Sequence, residues 1–449
     1  MKSCEASIWW LHPASVFGGL GVLIGISAYI FSEQTYREAW RTPKFFDAYA
    51  LWVTLACVAV FVLGSVVASK LTARVAPIDS GDIEGRLPAT LLLRLFTIAF
   101  WLSVLGYCIW AGLAISRGMR LQDVVGVISG EKGAMYDARY TYLPTVGGVT
   151  TLTQFSTAAV IIGALIIFVA GWHAVRWRMC ILFALAAARA LINSERFALI
   201  ELVVPFTVTC LGVWYLGRTN VRAARRGLVN LAPLAGVIAL FLLFTGFEYF
   251  RSWTNYYQGG DLPLLEFGAR RLTGYYVTSF NNGAFLLSRV DSLDAPYFTL
   301  HFLWGFPLTG PVAKRLFPDP LLETDDKWFY FPFLDSGANL EFNNADGMMF
   351  PLMDFGVAGG LIYWLVIGMA CGYLYQSYVK KQPLGLFLYP ATYLGLMEVP
   401  LALYWAEGRA FPSLCLLLLA PILIRFQWRV RPVFVQPYGE LSAIRRSHA

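Results

Sequence analysis

The sequence predicts an all-α fold, a polytopic transmembrane helical bundle of about ten spans with a large extracytoplasmic loop. Three observations point there. Of the 449 residues, 57% are hydrophobic and 14% charged, whereas soluble domains carry about a quarter charged residues. Apolar runs of about 20 residues recur along the chain, the length that crosses about 30 Å of hydrocarbon as a helix. The short connections between runs are basic at every second position in the count, the alternation expected of cytoplasmic loops.

The runs lie near 12–31, 48–69, 93–116, 155–171, 177–193, 197–217, 228–247, 347–375, 383–405 and 410–425. They divide the chain into seven spans over 1–247, a long external segment over 248–346, three spans over 347–425 and a basic tail over 426–449. KLTARVAPIDSGDIEGR, HAVRWR, GRTNVRAARRG, YVKKQ and the tail supply the basic connections. Placing all five inside leaves both termini cytoplasmic without exception. The net charge of +7 then belongs to those loops rather than to a nucleic-acid-binding surface. The opening MKSCEASIWWLHPAS shows no small-residue cleavage site after an apolar stretch, so the first run is read as retained.

Two long connections face outside, near 117–154 and 248–346. The second is rich in Trp, Tyr, Phe and Gly, a composition unlike that of disordered chain. Within it, YFTLHFLWGFPLTGPV over 297–312 is apolar, too short to span and broken by Pro307 and Pro311, and reads as an interfacial or re-entrant helix pair.

The chain has no GxxxxGK[ST] phosphate loop, no Asp-x-Asp pair and no HExxH. Its four histidines, His12, His173, His301 and His448, are isolated. Its seven cysteines fall mostly within apolar runs and form no CxxC, so they read as packing residues, with no metal site expected. The residues left to carry chemistry are arginines on the outer face: Arg189 and Arg196 at the ends of RALINSER, then Arg251, Arg270, Arg271, Arg289 and Arg409. Charge near hydrocarbon marks a partner or a pathway, and the guanidinium fork matches phosphate or carboxylate oxygens in pairs. Arg196, Arg251, Arg270, Arg271 and Arg409 are therefore candidate ligands of a pyrophosphate. Pairing with Glu195, Glu248, Glu266 and Glu407 is the competing use of the same residues.

Among the carboxylates, Glu195, Glu248 and Glu407 are the candidates for a general base, to be tuned by burial. Glu248 and Arg251 stand at i and i+3, a spacing that allows them to pair. Glu398 lies inside a run just before Pro400 and is the main interior charge. In EFGARRLTGYYVTSFNNG, Tyr275, Tyr276, Asn281 and Asn282 offer aromatic faces and amides for sugar rings. The polar segment NLEFNNADG adds Asn343, Asn344 and Asp346. Interfacial aromatic belts account for the same rings without a ligand.

The stretch 339–375 then leads into its span through Asp354, Phe355, Gly356, Gly359 and Gly360, followed by Gly368 and Gly372. This resembles the penultimate region of bacterial oligosaccharide repeat-unit polymerases, the Wzy-type O-antigen and exopolysaccharide polymerases. NSERFALIELVVPF, with Ser194 and Arg196, is similar to another span of that family, and the likeness runs over about 180–425. The resemblance implies a GT-C-like glycosyltransferase of the bacterial inner membrane. It would act on undecaprenyl-pyrophosphate-linked oligosaccharide among membrane lipids, beside a chain-length regulator and a flippase. It implies no cofactor, because the donor is already activated. An O-antigen ligase is the alternative within the class; it would be expected to use a histidine of the large loop, and the only one there, His301, sits in the apolar HFLWGF, which argues against it. A transporter or flippase of a lipid-linked or anionic solute, or a non-catalytic assembly subunit, is the alternative outside it.

Overall fold

A computed structural model describes residues 8–73, 87–193, 195–216, 223–257, 262–289, 292–306, 309–317 and 334–430. Ser194, most of the 70–86 connection and the basic tail beyond residue 430 lie outside the described residues, as does the side chain of Arg251.

The described residues form helices and connections with no strand; each apolar run forms a helix, and a further long helix, Leu264–Arg289, lies between the seventh and eighth runs. In order these are α1 (Pro13–Ile30), α2 (Ala48–Ala73), α3 (Ala89–Ser116), α4 (Phe155–Ala170), α5 (Arg176–Asn193), α6 (Phe197–Trp214), α7 (Ala232–Glu248), α8 (Leu264–Arg289), α9 (Phe350–Val379), α10 (Pro383–Glu398) and α11 (Phe411–Val430). Among the described residues, six segments are long and apolar enough to cross a membrane: α1, α2, α3, Val149–Ala170, α6 and α9. Helices α7 and α11 are shorter apolar helices. Polar residues break the apolar character of α5, and α10 is only 16 residues long. Length and hydropathy therefore support six spans, where the apolar runs alone suggest ten.

Several helix starts follow from local chemistry. Pro13 opens α1, where its missing N–H is no loss, and the His12 ring Nδ1 accepts the Ala14 N–H at 3.2 Å. Proline likewise sits in the first turn of α7, α9 and α10. The largest departure from expectation is α8. The sequence places 264–289 within an external loop, yet it forms one helix of 26 residues. Its second half, from Val277 to Leu286, is buried without interruption.

The core is organised around two helices. Helix α4 is walled in, with every residue from Ser156 to Ile166 buried, as expected for a helix that is apolar all round. Its neighbours are α3, α5, α6, α10 and α11. Ser413 at the start of α11 receives the Ala158 N–H at 3.2 Å and donates to the Gln154 carbonyl at 2.6 Å, tying α11 to the start of α4. Helix α9 runs along α2 with almost nothing between the two backbones. A Cβ on Gly368 would overlap the Phe61 carbonyl oxygen, and one on Gly372 the Ser65 carbonyl oxygen. This small-xxx-small seam lets backbones approach and gain dispersion contacts where no hydrophobic effect operates.

Helix α9 is broken near its start at Gly356, whose φ of 69° is left-handed. Just before it, Asp354 accepts from Phe298 N at 2.9 Å, Thr299 N at 2.8 Å and Thr299 Oγ1 at 2.7 Å. The Asp-Phe-Gly step thus fastens the 292–306 segment to α9. At the opposite end of α9, Lys380 Nζ donates to the Thr72 carbonyl, and Lys381 Nζ to that of Val213 at 3.3 Å. Cations there satisfy carbonyls at the ends of α2 and α6.

Gly372→Leu should remove most folded protein, because the obstruction is backbone rather than a movable side chain. Overpacking costs about 1–3 kcal/mol even where the core can shift. A detergent melting curve within a few degrees of wild type would contradict the seam.

Candidate functional site

The links and ends that meet at one pole of the bundle are α5–α6, α7–α8, the start of α9 and α10–α11. Three of these four places contribute charged groups that pair with one another. Glu195, in the α5–α6 link, lies between two guanidiniums. Arg189 Nε donates to its Oε2 at 2.7 Å, and Arg409 Nη2 to its Oε1 at 2.7 Å. Arg409 also donates through Nε to Glu201 Oε1 at 3.0 Å. Glu201, on α6, is almost completely buried. Thr153 Oγ1 accepts from Arg189 at 2.9 Å. Gln154, with its amide oriented by these neighbours, donates to Glu201 at 3.1 Å and accepts from Arg189 at 2.9 Å. The rings of Trp110 and Phe197 lie against Arg189 and Arg409 at 5.3 and 4.7 Å.

The adjoining residue begins a second group. Arg196 Nη2 is 3.2 Å from Glu248 Oε1, and Arg271 Nε is 3.4 Å from Glu248 Oε2. Arg271 Nη1 also meets Glu341 Oε2 at 3.0 Å. Three rings are interleaved with the cations. Arg196 stacks on Phe244 at 3.9 Å and near Tyr275 at 5.3 Å, and Arg271 lies 4.8 Å from Phe342. Tyr275 touches both Phe244 and Phe342 edge-on. In both groups one carboxylate is held between two guanidiniums, one at each oxygen, and the Glu195–Arg196 peptide joins the groups.

The electrostatics follow from this bracketing. Burial pushes the Glu195 carboxyl up, but Arg409 and Arg189 more than offset it and hold it at about 2. A carboxylate with so little proton affinity is a weak base and a strong bridge. Burial pushes the Arg409 guanidinium down, while Glu201 and Glu195 reverse that and leave it firmly cationic.

The sequence candidates divide accordingly. Arg196, Arg271, Arg409, Glu195, Glu248 and Tyr275 are brought together. Glu248 pairs with Arg196 and Arg271 across the fold; the Arg251 side chain, three residues on, lies outside the described residues. Arg270 points outward and pairs with Glu266 one turn earlier at 2.8 Å, both exposed. Glu407 shares the α10–α11 link with Arg409, yet among the described residues no cation pairs with it, and Glu398 ends α10 at the same pole.

The amides hold backbone. Asn281 Nδ2 donates to the Pro43 carbonyl at 2.9 Å, and its Oδ1 accepts from Phe45 N at 2.6 Å and Phe46 N at 3.0 Å. Asn282 donates to the carbonyls of Phe342 at 2.6 Å and Asn344 at 2.8 Å. Asp346 is fully buried, with Oδ1 on the Met348 N–H at 3.0 Å, and burial raises its carboxyl well above the usual range. Tyr276 is half-buried against the core, and Asn343 is exposed. The His301 ring packs edge-on to Tyr297 at 5.3 Å.

Glu201, Glu341 and Gln154 enter the site without having been singled out in the sequence. Glu201 had a signal, as the lone acid in the apolar FALIELVVPF. Comparison with protein-family models, curated proteins and solved structures gives no match.

Glu195 has a folded-state pKa near 2 against an ordinary 4.5. Its pairing therefore stabilises the fold fully above 4.5, and that contribution fades as pH falls from 4.5 to about 2. Melting temperature in detergent should drop across that window in the wild type and less steeply in Glu195→Gln. Equal slopes would refute the bridge. Glu248→Gln should destabilise by about 3–5 kcal/mol at neutral pH, since it leaves two cations in a buried site; a melting temperature unchanged from wild type would refute its place between them.

Proposed function

We propose that the chain polymerises oligosaccharide repeat units carried on undecaprenyl pyrophosphate, transferring glycan from one lipid carrier to another at the extracytoplasmic face of a bacterial inner membrane. The observation that carries this reading is the gathering of Arg189, Arg196, Arg271 and Arg409 from separate elements to one pole of an apolar bundle. Guanidinium pairs already spaced around the two oxygens of a carboxylate are spaced for the oxygens of a phosphate. With the basic connections placed in the cytoplasm, this pole faces outward, where lipid-linked glycans are joined.

In this reading an acceptor hydroxyl attacks the anomeric carbon of the donor glycan, and the bond to the pyrophosphate oxygen breaks. The arginines stabilise the negative charge that develops on the departing lipid pyrophosphate. A carboxylate takes the hydroxyl proton. Glu195 and Glu248 are committed to cations, which leaves Glu407 as the base. The donor's own pyrophosphate supplies the driving force, so no nucleotide is consumed.

Arg271→Ala should cut polymerisation on the order of 100-fold, the size of effect seen when one charge-stabilising donor is lost. Cells carrying it should accumulate single repeats on the lipid carrier, whereas Arg270→Ala should make a normal ladder. A normal ladder from Arg271→Ala at wild-type protein level overturns the reading. Carrier-linked polymer without transfer in a deletion strain would indicate a ligase, and units retained inside would indicate a flippase.

A further inference from the structure

Glu341 differs from the other carboxylates of the two groups. Its side chain is 46% exposed, whereas Glu248, on the other side of Arg271, is 0% exposed. Arg271 itself is 7% exposed, so Glu341 covers the side from which solvent would approach it. Glu341 also sits on a different kind of support. Glu248 ends a long helix, while Glu341 belongs to the single turn Leu340–Phe342.

That turn is nevertheless fixed at both ends by amides. Asn339 donates to the Trp40 carbonyl at 2.9 Å and accepts the Glu341 N–H at 3.0 Å. Asn282 holds the Phe342 carbonyl at 2.6 Å. The backbone is thus held while the carboxylate is free to swing into water on its own side-chain torsions. A pair with one exposed partner opens more readily than one buried on both sides.

We propose that Glu341 is a displaceable counter-ion, occupying on Arg271 the place of one phosphate oxygen of a diphosphate ligand. This rests on the diphosphate reading of the site and adds how that site is kept when empty and how it is cleared. On arrival the ligand exchanges for the Glu341 carboxylate, which moves into solvent. On departure the carboxylate returns to Arg271 and competes with the product diphosphate for it. Removing the charge therefore tightens binding and slows release, the opposite of what damage to a supporting ion pair would do.

The test is a titration of the full-length protein in detergent with farnesyl diphosphate, read as Kd and dissociation rate. Glu341→Gln should bind about fivefold tighter than wild type, chiefly through slower release, which corresponds to the strength of a partly exposed ion pair. Glu341→Asp should retain near-wild-type behaviour, Glu266→Gln should change nothing, and Arg271→Ala should bind much more weakly. If wild type binds while Glu341→Gln binds equally or less well, the counter-ion role is overturned and the diphosphate site survives. If neither wild type nor any variant binds, both fall.

Discussion

Taking a charged side chain out of water costs several kcal/mol per ion, and a buried pair regains this only with close geometry on both partners. At one pole of this bundle that constraint is met by sharing. Glu195 and Glu248 each give one oxygen to each of two arginines, so no guanidinium at the centre stands alone. Because the partners come from α5, α6, α7, α8 and the α10–α11 link, neutralising the charges also fixes how those helix ends stand relative to one another. The remaining features of the pole are arranged around this. Rings cover the faces of the cations, and Asn282 of α8 holds the turn that carries Glu341 and Phe342.

The glycine seam between α2 and α9 sets a complementary limit on the rest of the bundle. Backbones in direct contact leave little room for sliding, and the left-handed Gly356 lets α9 change direction just where Asp354 ties down the 292–306 segment. The short turn at 340–342 is held against α8 by Asn282 and to the Trp40 carbonyl by Asn339. Charge pairing at the pole is precise because the framework beneath it is closely packed.

Most of the fold was legible in the sequence because apolar runs translate directly into helices. What length and hydropathy withheld was α8, whose mixed face reads as loop when scanned for spans. Its apolar side is buried against the bundle while its asparagines meet the 43–46 and 342–344 stretches. The site was legible by residue type and not by partner. Arg196, Arg271, Arg409, Glu195 and Glu248 stood out as charges in an apolar chain. The i, i+3 spacing of Glu248 and Arg251 pointed to a local pair, whereas the partners seen on Glu248 are Arg196 and Arg271, on other elements. Arg409 and Glu195 are 214 positions apart, a separation no local rule reaches. Asn281 and Asn282 looked like ligand contacts because exposed amides do; their burial against backbone carbonyls is a tertiary fact.

The enclosed position of α4 bears on how the chain is built. Its neighbours include α3, which precedes it in the chain, and α11, which is synthesised well after it. Until α11 arrives, the Ala158 amide and the Gln154 carbonyl lack the hydroxyl of Ser413, and one flank of α4 borders lipid. Assembly around this helix therefore waits for α11 to be made. A chain clipped before residue 411 would insert its earlier helices and still lack a finished centre.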